Sequence, residues 1–424
     1  GDTVRLTIPR RTFATRDSLA RYAAWARELG ADTRETSAAD FDDVGPPARR
    51  ATGAPVLRPQ ARWLSDVVRT NRVEGLYTGV AGVLHLRDRL PGALVRAAGG
   101  WSWGEGTARG LVEGARARGP WVATVRAERA LASTNDFQGP LGGASGGVDA
   151  LAGLWGDPYD YVDRRAASVA VARELGVRHT AALRLEATTA SDRAPRVHLD
   201  ANPFGGRAYR PLRPVDEGRW SALAATLDFG RNVTGDGMQS GVGGLLAVER
   251  AAGALAWTRV QAQLRARRQR GRFVVASRVD AGLLAGADGR AVPTQRLWEL
   301  GGPQVLPGYD YKAFAGDRTV LARGLVQYLL PVLGTPVQLE GITMPAIAPA
   351  LALGGFAGWT DAAAPGTRAT LDALGWRTTD GARGSVSVGL RLGGGAATLG
   401  IARPIDGRGW GGPARFVFAL GSQW

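Results

Sequence analysis

Few residues of this 424-residue chain have the types and spacing that catalysis or metal binding requires. Cysteine is absent, so the sequence offers no disulfide, thiolate ligand or thiol nucleophile. Its three histidines, His85, His179 and His198, are too scattered to suggest a metal cluster. Residues 143–147 (GASGG) match the G-x-S-x-G pattern of a hydrolase nucleophile, but they lie in a glycine-rich stretch instead of a strand–turn–helix. We therefore expect no enzymatic activity, no metal and no cofactor.

Charge is the other candidate for chemistry, because the net charge is +15. Such an excess would suggest nucleic acid or an anionic surface as partner. In residues 256–267, however, Arg259, Gln261, Gln263 and Arg265 alternate with apolar residues. Successive side chains of a strand point to opposite faces, so this ribbon has one charged and one aliphatic face. We expect the charged face to line an enclosed aqueous space, and we expect no nucleic-acid partner.

The same alternation recurs in segments of about ten to fifteen residues, for example 121–131 and 177–188. The apolar phase is rich in small residues, which is typical of a lipid-facing wall, and the polar phase is typical of a wet interior. The pattern predicts an all-β fold, a transmembrane antiparallel up-and-down β-barrel. The expected lumen charges are Arg184, Glu186, Arg259, Arg265, Arg278 and Asp280, with Glu113, Glu128, Asp228 and Glu249 as further acidic partners.

Counted back from the C-terminus, the alternation places fifteen strands. They are predicted at 72–86, 91–102, 107–117, 120–131, 164–175, 177–189, 219–230, 240–251, 255–267, 271–284, 319–330, 344–358, 383–392, 396–403 and 415–424. The longest connections all fall on one side of the sheet, at 132–163, 190–218, 285–318 and 359–382. Short periplasmic turns and long extracellular loops are typical of outer-membrane barrels.

An even strand number is usual for such barrels, so a sixteenth strand is predicted at residues 2–9, where apolar and polar residues alternate. Residues 10–71 would then form a long extracellular excursion with a short helix at 18–29. Alternatively, residues 1–70 are a periplasmic leader and residues 71–424 form a fourteen-stranded barrel. The leading residues do not have the pattern of a periplasmic docking repeat.

One uncharged run, residues 341–360, reaches the length of a membrane-spanning helix. Pro345, Pro349 and four glycines argue against a helix there. Seven of the thirteen tryptophans are candidates for an interfacial girdle, although Trp257 falls on the inward phase. These are Trp101, Trp103, Trp121, Trp220, Trp257, Trp359 and Trp410.

Several stretches resemble one known family. Residues 298–309 (WELGGPQVLPGY), followed by 314–318 (FAGDR), resemble the sixth-loop signature of the outer-membrane protein assembly factor superfamily, which includes the BamA/TamA-like bacterial surface antigens. The end of the chain, 416–424 (FVFALGSQW), resembles the aromatic signal that closes such barrels. Residues 71–77 (NRVEGLY) and 134–137 (TNDF) are also similar to this family. The matching residues are Gly301, Gly302, Pro307, Gly308, Tyr309, Phe314, Gly316, Asp317 and Arg318 in the loop, and Phe416, Phe418, Leu420 and Trp424 at the end.

The resemblance implies a barrel of the Gram-negative outer membrane that acts in protein insertion or translocation. A surface antigen or passive channel is the alternative. In the family, an arginine just before the Gly-aromatic pair enters the lumen and meets carboxylates on the wall. Pro307 occupies that position here, so Lys312 and Arg318 are the candidate replacements. The implied partners are outer-membrane lipid or lipopolysaccharide, unfolded outer-membrane protein clients and periplasmic accessory proteins, with the chain itself a monomer.

Overall fold

The computed structural model describes residues 53–134, 156–176, 180–202, 206, 208–231, 233, 240–287, 290–332, 337–339, 342–344, 348–395, 397–406, 409–410 and 412–420. Most of them belong to one large antiparallel sheet. Its strands are β1 (Val56–Pro59), β2 (Val68–Asn71), β3 (Gly75–His85), β4 (Ala93–Ser102), β5 (Thr107–Arg118), β6 (Trp121–Ser133), β7 (Tyr161–Leu175), β8 (Ala181–Arg193), β9 (Gly218–Phe229), β10 (Gly241–Gly253), β11 (Trp257–Arg270), β12 (Phe273–Gly286), β15 (Arg318–Leu329), β18 (Ala350–Asp361), β19 (Arg383–Leu392), β20 (Ala397–Asp406), β21 (Gly409–Trp410) and β22 (Arg415–Leu420).

The remaining elements lie in connections between these strands. They are the hairpin of β13 (Trp298–Leu300) and β14 (Phe314–Gly316), the hairpin of β16 (Val337–Leu339) and β17 (Ile342–Met344), and the single α-helix of the described part, α1 (Pro365–Leu374). Among the described residues, no helix has the length and apolar character needed to cross a membrane.

The large sheet is an up-and-down meander in which each strand pairs with the next along the chain. Both β1 and β2 pair with β3, and both β21 and β22 pair with β20, so the eighteen strands occupy sixteen positions. The predicted antiparallel up-and-down fold of about sixteen strands is confirmed. Within the described residues, no backbone pairing joins β22 to β1 or β2.

All fifteen strands that the alternation predicts are present, with ends that shift by a few residues. The first position of the meander differs from the prediction, because β1 and β2 fill it from within the stretch assigned to an excursion. Each has only four residues, which is too short for a period-two pattern to stand out. The strand predicted at 2–9 and the helix predicted at 18–29 lie outside the described residues.

The four connections predicted to be long all join strands at the same end of the sheet. With the bounds of the observed strands they are 134–160, 194–217, 287–317 and 362–382. A fifth long connection, 330–349, lies at the opposite end, where the predicted strands leave the shorter connection 331–343. It contains β17, whereas β18 begins only at Ala350. The uncharged run 341–360 is therefore divided between a hairpin and a wall strand.

The two faces of the sheet have the character that the alternation predicts. Aliphatic side chains in the middle of the strands are exposed, with Val125 at 60%, Leu185 at 56% and Leu223 at 70%. The opposite phase carries charged and hydroxyl side chains together with buried aromatic residues such as Trp257. A soluble sandwich would bury the aliphatic phase against a second layer, so the exposed aliphatic face is a hydrocarbon-facing surface.

The tryptophan girdle is only partly as expected. Trp101, Trp103 and Trp121 are exposed, but Trp220 and Trp257 are buried inside the sheet with ring centroids 5.0 Å apart. For these two the girdle assignment is wrong, because they lie on the inward phases of β9 and β11. Trp359 is half-buried on the outward phase of β18, and the side chain of Trp410 lies outside the described residues.

This arrangement predicts opposite responses at two adjacent residues of β9. Leu223→Arg places a charge in hydrocarbon near the middle of the strand and should lower the free energy of unfolding by about 2 to 4 kcal/mol. Ala224→Arg is the matched control, because Ala224 faces the lumen between Glu186 and Glu249 on the neighbouring strands. Urea unfolding in lipid vesicles measures both. A cost within about 0.5 kcal/mol for Leu223→Arg, as at an ordinary wet surface, would contradict a hydrocarbon-facing wall.

Candidate functional site

The connection 287–317, called here the lumenal loop, folds into the interior of the sheet. The Trp298 ring lies flat against Gly282 on the inward phase of β12, where an added Cβ would come within 2.3 Å of the indole. Glycine at 282 is therefore required by the close approach. Farther along the loop, Leu300 and Leu306 pack with inward side chains of β15 and β18, among them Leu321. The loop thus fills part of the lumen.

The tip of the lumenal loop reaches the last strands of the meander. Gly308 has a φ of +96°, and an added Cβ would lie 2.8 Å from the backbone nitrogen of Pro404 on β20. The hydroxyl of Tyr309 donates to the carbonyl oxygen of Ile405 on the same strand, at 3.3 Å. One residue later, the carboxylate of Asp310 meets the guanidinium of Arg415 on β22 at 2.5 Å. Gly308 and Tyr309, the Gly-aromatic pair of the motif, therefore lie across the lumen from β12 and contact β20.

A buried charge cluster holds the loop at its other side. The ammonium of Lys312 lies 2.8 Å from a carboxylate oxygen of Asp160 and also pairs with Glu299. Arg210 contacts Asp160 at 2.7 Å, and Arg213 contacts Glu299 at 2.8 Å. The side chains of Lys312, Asp160 and Glu299 are 4%, 2% and 4% exposed. These five residues, called here the anchor, join the lumenal loop to the connections 134–160 and 194–217.

Burial and charge act against each other on the carboxyl groups of the anchor. Burial alone would raise the pKa of Asp160, but Lys312 and Arg210 outweigh it and lower that pKa to about 2. At Glu299 burial prevails and raises the pKa, although Lys312 and Arg213 act in the opposite direction. Burial also lowers the pKa of Arg213. The two carboxyl groups therefore depend on Lys312 for their charge balance.

The two candidate replacements for the family arginine lie in different places. Lys312 is inside the anchor, whereas Arg318 is exposed on the outward face of β15. Lys312 is thus the cation that meets a carboxylate, Asp160, at the beginning of β7. Pro307, at the position of the family arginine, lines a small cavity together with residues of β18 and β19, among them Arg391.

The glycines of the motif allow the loop to fold tightly. Gly301 and Gly302 have φ values of +121° and +93°, a region that side chains disfavour. Cβ atoms there would collide with the carbonyl of Asp310 and the ring of Tyr311. At Gly316 an added Cβ would lie 2.4 Å from the carbonyl oxygen of Asp361. The motif glycines therefore serve close backbone packing.

Two further motif residues join the lumenal loop to the connection that carries α1. The buried carboxylate of Asp317 accepts hydrogen bonds from the backbone N–H groups of Ala363 and Ala364, both at 2.9 Å. The ring of Phe314 meets that of Tyr309 edge-on, with centroids 5.4 Å apart. The structure thus brings Tyr309 and Phe314 into contact, places Gly308 against β20 and Asp317 against the connection that carries α1, and leaves Arg318 apart.

The expected lumen charges lie on the inward phase and pair largely with near neighbours. Arg265 meets Asp228 at 2.8 Å, Arg278 meets Asp280 at 2.8 Å and Arg184 meets Glu186 at 3.1 Å. Arg259 instead lies over the ring of Trp298, 3.8 Å from its centroid. Other expected acidic partners pair with arginines outside the expected set of lumen charges: Glu113 and Glu128 with Arg126, and Glu249 with Arg296.

At the C-terminus, Phe416 and Phe418 are exposed on β22. The side chain of Leu420 and the whole of Trp424 lie outside the described residues. The sequence did not single out Asp160, Arg210 or Arg213, because they lie in connections without periodicity. A usable signal exists only for the two arginines, since the connection 194–217 is richer in charged residues than the chain as a whole and a charged residue near the lumen needs a partner.

No protein-family model and no curated protein matches the sequence. Solved structures do match the architecture. BamA from Haemophilus ducreyi lacking POTRA domains 1–3 aligns over 84% of this chain and 69% of its own, with a TM-score of 0.51 and 11% identity. This chain has the fold of the BamA barrel. CdiB from Acinetobacter baumannii aligns over 80% of this chain and 55% of its own, with a TM-score of 0.41 and 8% identity. With its exposed aliphatic wall, the BamA-like fold is that of an outer-membrane β-barrel.

Removal of the anchor cation tests whether it holds the lumenal loop. Lys312→Met removes the cation that Asp160 and Glu299 share but leaves Arg210 beside Asp160 and Arg213 beside Glu299. The cost should therefore lie near the lower end of the about 3 to 5 kcal/mol of a broken buried pair, and residues 287–317 should become sensitive to protease. Asp310→Asn is the matched control, because the Asp310–Arg415 pair is 79% and 43% exposed and is worth at most about 1 kcal/mol. Adding Glu299→Gln to Lys312→Met should recover part of the loss. Equal effects of Lys312→Met and Asp310→Asn would refute the anchor.

The low pKa of Asp160 predicts a pH dependence. Because this pKa is about 2 in the fold and 3.8 in its ordinary state, the carboxylate stabilises the fold above about pH 4 and ceases to do so as the pH falls to about 2. Asp160→Asn should therefore lower the melting temperature at pH 6, and the difference from the parent should shrink between pH 4 and pH 2. A difference that stays constant over this range would show that Asp160 gains nothing from Lys312 and Arg210.

Proposed function

We propose that this barrel inserts or translocates proteins at the outer membrane, with unfolded outer-membrane proteins as clients and periplasmic proteins as accessories. The observation that carries the proposal is the shortness of the strands at the two ends of the meander. Within the described part of the chain, the positions between them hold strands of 10 to 15 residues, whereas β1 and β2 have four each and β22 has six. Short terminal strands make the seam between them the weakest line of the wall.

An open seam would expose a strand edge. Unpaired N–H and C=O groups at such an edge recruit a further strand, and in hydrocarbon the need for a partner is stronger because water is absent. A client strand can satisfy these groups by pairing with β22 or with β1 and β2. Insertion by this route uses backbone pairing and does not depend on the client's side-chain sequence.

The lumenal loop supplies unequal attachments on its two sides. The anchor is buried, so separating its charges is costly. The Asp310–Arg415 pair, which connects the loop to β22, is largely exposed and contributes little. The strand β22 can therefore move away from the loop while the loop stays seated, which is what lateral opening requires.

The alternative function is a surface antigen or passive channel. The lumenal loop and the connection that carries α1 pack together inside and over one end of the sheet, which favours a plugged barrel over an open pore. Single-channel conductance of the purified chain distinguishes these cases, and we expect only small, infrequent openings.

Photocrosslinking tests the seam directly. A photoreactive residue at Phe416 on β22 should capture an unfolded barrel client during its insertion into liposomes that contain this chain. The same residue at Leu223 on β9 is the matched control, since both side chains are outward and about equally exposed, at 72% and 70%. Client adducts at Phe416 but not at Leu223 support insertion at the seam. Equal adducts at both sites, or none during productive insertion, rule the seam out.

Depletion in the source cell tests the function itself. Loss of the chain should lower the amounts of other barrel proteins in the outer membrane, and the anchor variant Lys312→Met should restore them less well than Asp310→Asn does. Unchanged barrel levels after depletion would contradict an insertion role and favour the surface antigen or channel.

A further inference from the structure

An arginine row lies on the outward face of the wall, on the side that meets lipid. Arg129 on β6 stands directly across from Arg165 on β7, Arg165 stands across from Ser191 on β8, and Ser191 stands across from Arg219 on β9. The four residues therefore form one line across four neighbouring strands, which lie about 4.8 Å apart. Arg165 and Arg219 are exposed.

Charges in such a row are unfavourable without an anion. Like charges on directly opposite residues of adjacent strands destabilise a sheet, as Arg129 and Arg165 do here. Arg129 has Asp163 at 3.3 Å, but Asp163 also serves Arg109 at 2.7 Å. Within the described residues, no side chain pairs with Arg165 or Arg219. The row has more positive charge than the protein neutralises.

The row borders an apolar groove. The same lateral line continues from Arg129 through Gly110 and Gly99 to Val80, and these residues line a groove of about 1280 Å³ on the outer wall. Its surface is predominantly alanine, glycine and valine, because the outward positions of β3 to β7 carry small residues here. The volume exceeds the roughly 300 to 1,000 Å³ of sites for drug-sized ligands, so several acyl chains fit better than one small molecule.

The groove has a defined direction in the membrane. Arg219 is the second residue of β9, directly after the long connection 194–217, so the arginines lie at the end of the wall that carries the long extracellular loops. Val80 is the sixth residue of β3 and lies deeper in the wall. Because strands of such barrels are tilted by about 35 to 45°, a lateral line across seven strands descends from the interface toward the bilayer centre.

We propose that this groove binds a phosphorylated, multiply acylated glycolipid of the outer leaflet, that is, lipopolysaccharide. The phosphate groups would lie on Arg129, Arg165 and Arg219, where guanidinium groups donate charge-assisted hydrogen bonds. The acyl chains would lie over the alanine and glycine surface that ends at Val80. Charge complementarity and the position at the extracellular end favour this lipid over a phospholipid of the periplasmic leaflet. The site lies on the wall and does not depend on insertion of clients.

Lipid binding to the full chain tests the proposal. The chain is reconstituted in phosphatidylethanolamine nanodiscs, and the affinity for fluorescent lipopolysaccharide is measured. Each interfacial arginine is expected to contribute about a fivefold factor in affinity, so Arg165→Gln with Arg219→Gln should weaken binding about 25-fold. Arg318→Gln is the matched control, because Arg318 is also outward, exposed and at the same end of the wall but outside the groove. It should change the affinity by less than about twofold.

Three further binding measurements and a folding control accompany this comparison. Ala127→Trp fills the groove and leaves the arginines in place, so it should also weaken lipopolysaccharide binding. Lipopolysaccharide without its lipid phosphates, and phosphatidylglycerol as a competitor, should both bind much more weakly than the intact glycolipid. The proposal is overturned if the double variant binds as the parent does, if Arg318→Gln loses as much affinity, or if phosphatidylglycerol competes equally. Heat-modifiable migration on gels confirms that each variant is folded.

Discussion

The structure depends on one constraint: a chain in hydrocarbon must satisfy its backbone hydrogen bonds within itself and present an apolar surface to lipid. An up-and-down sheet meets the first requirement through pairing of each strand with the next, and period-two alternation meets the second. In this chain the aliphatic phase is exposed along the whole meander, while arginines, carboxylates and hydroxyl groups lie on the opposite phase. Soluble proteins place these two sets of side chains the other way round.

This inversion explains why the interior is rich in charge networks. Arginines that face a wet lumen are hydrated, but where loops exclude water each arginine requires a carboxylate close by. Arg265 and Arg278 have such partners in Asp228 and Asp280. Where the lumenal loop excludes water most completely, the charges are concentrated in the anchor of Asp160, Glu299 and Lys312 with two arginines. Such a cluster contributes less to net stability than to specificity, because any displaced loop position leaves a charge buried without a partner.

The sequence predicts the wall well and the loops poorly, for physical reasons. The strands from β3 to β20 are long enough for alternation to be unambiguous, and their connection lengths indicate which end carries the loops. In contrast, β1 and β2 are too short to show a period. The inward position of Trp220 was detectable, since it shares a phase with Thr226 and Asp228 on β9.

Long-range contacts account for most of what the sequence does not reveal about the site. Lys312 and Asp160 lie far apart in sequence, and no periodicity links them. The motif glycines and Asp317 are recognisable by resemblance, but their contacts with Pro404 and with the N–H groups before α1 depend on how the connections fold over the lumen. The arginine row on the outer wall becomes visible only when strand register places residues of four strands in one line.

Site-specific fluorescence quenching in liposomes shows whether the aliphatic phase of the strands meets lipid and the charged phase meets water. Because the chain has no cysteine, a single cysteine at Leu185 or at Glu186 on β8 can carry an environment-sensitive label. We predict that brominated lipids quench the label at Leu185 and that aqueous iodide quenches the label at Glu186. Equal quenching of both labels by iodide would show that the aliphatic phase faces water.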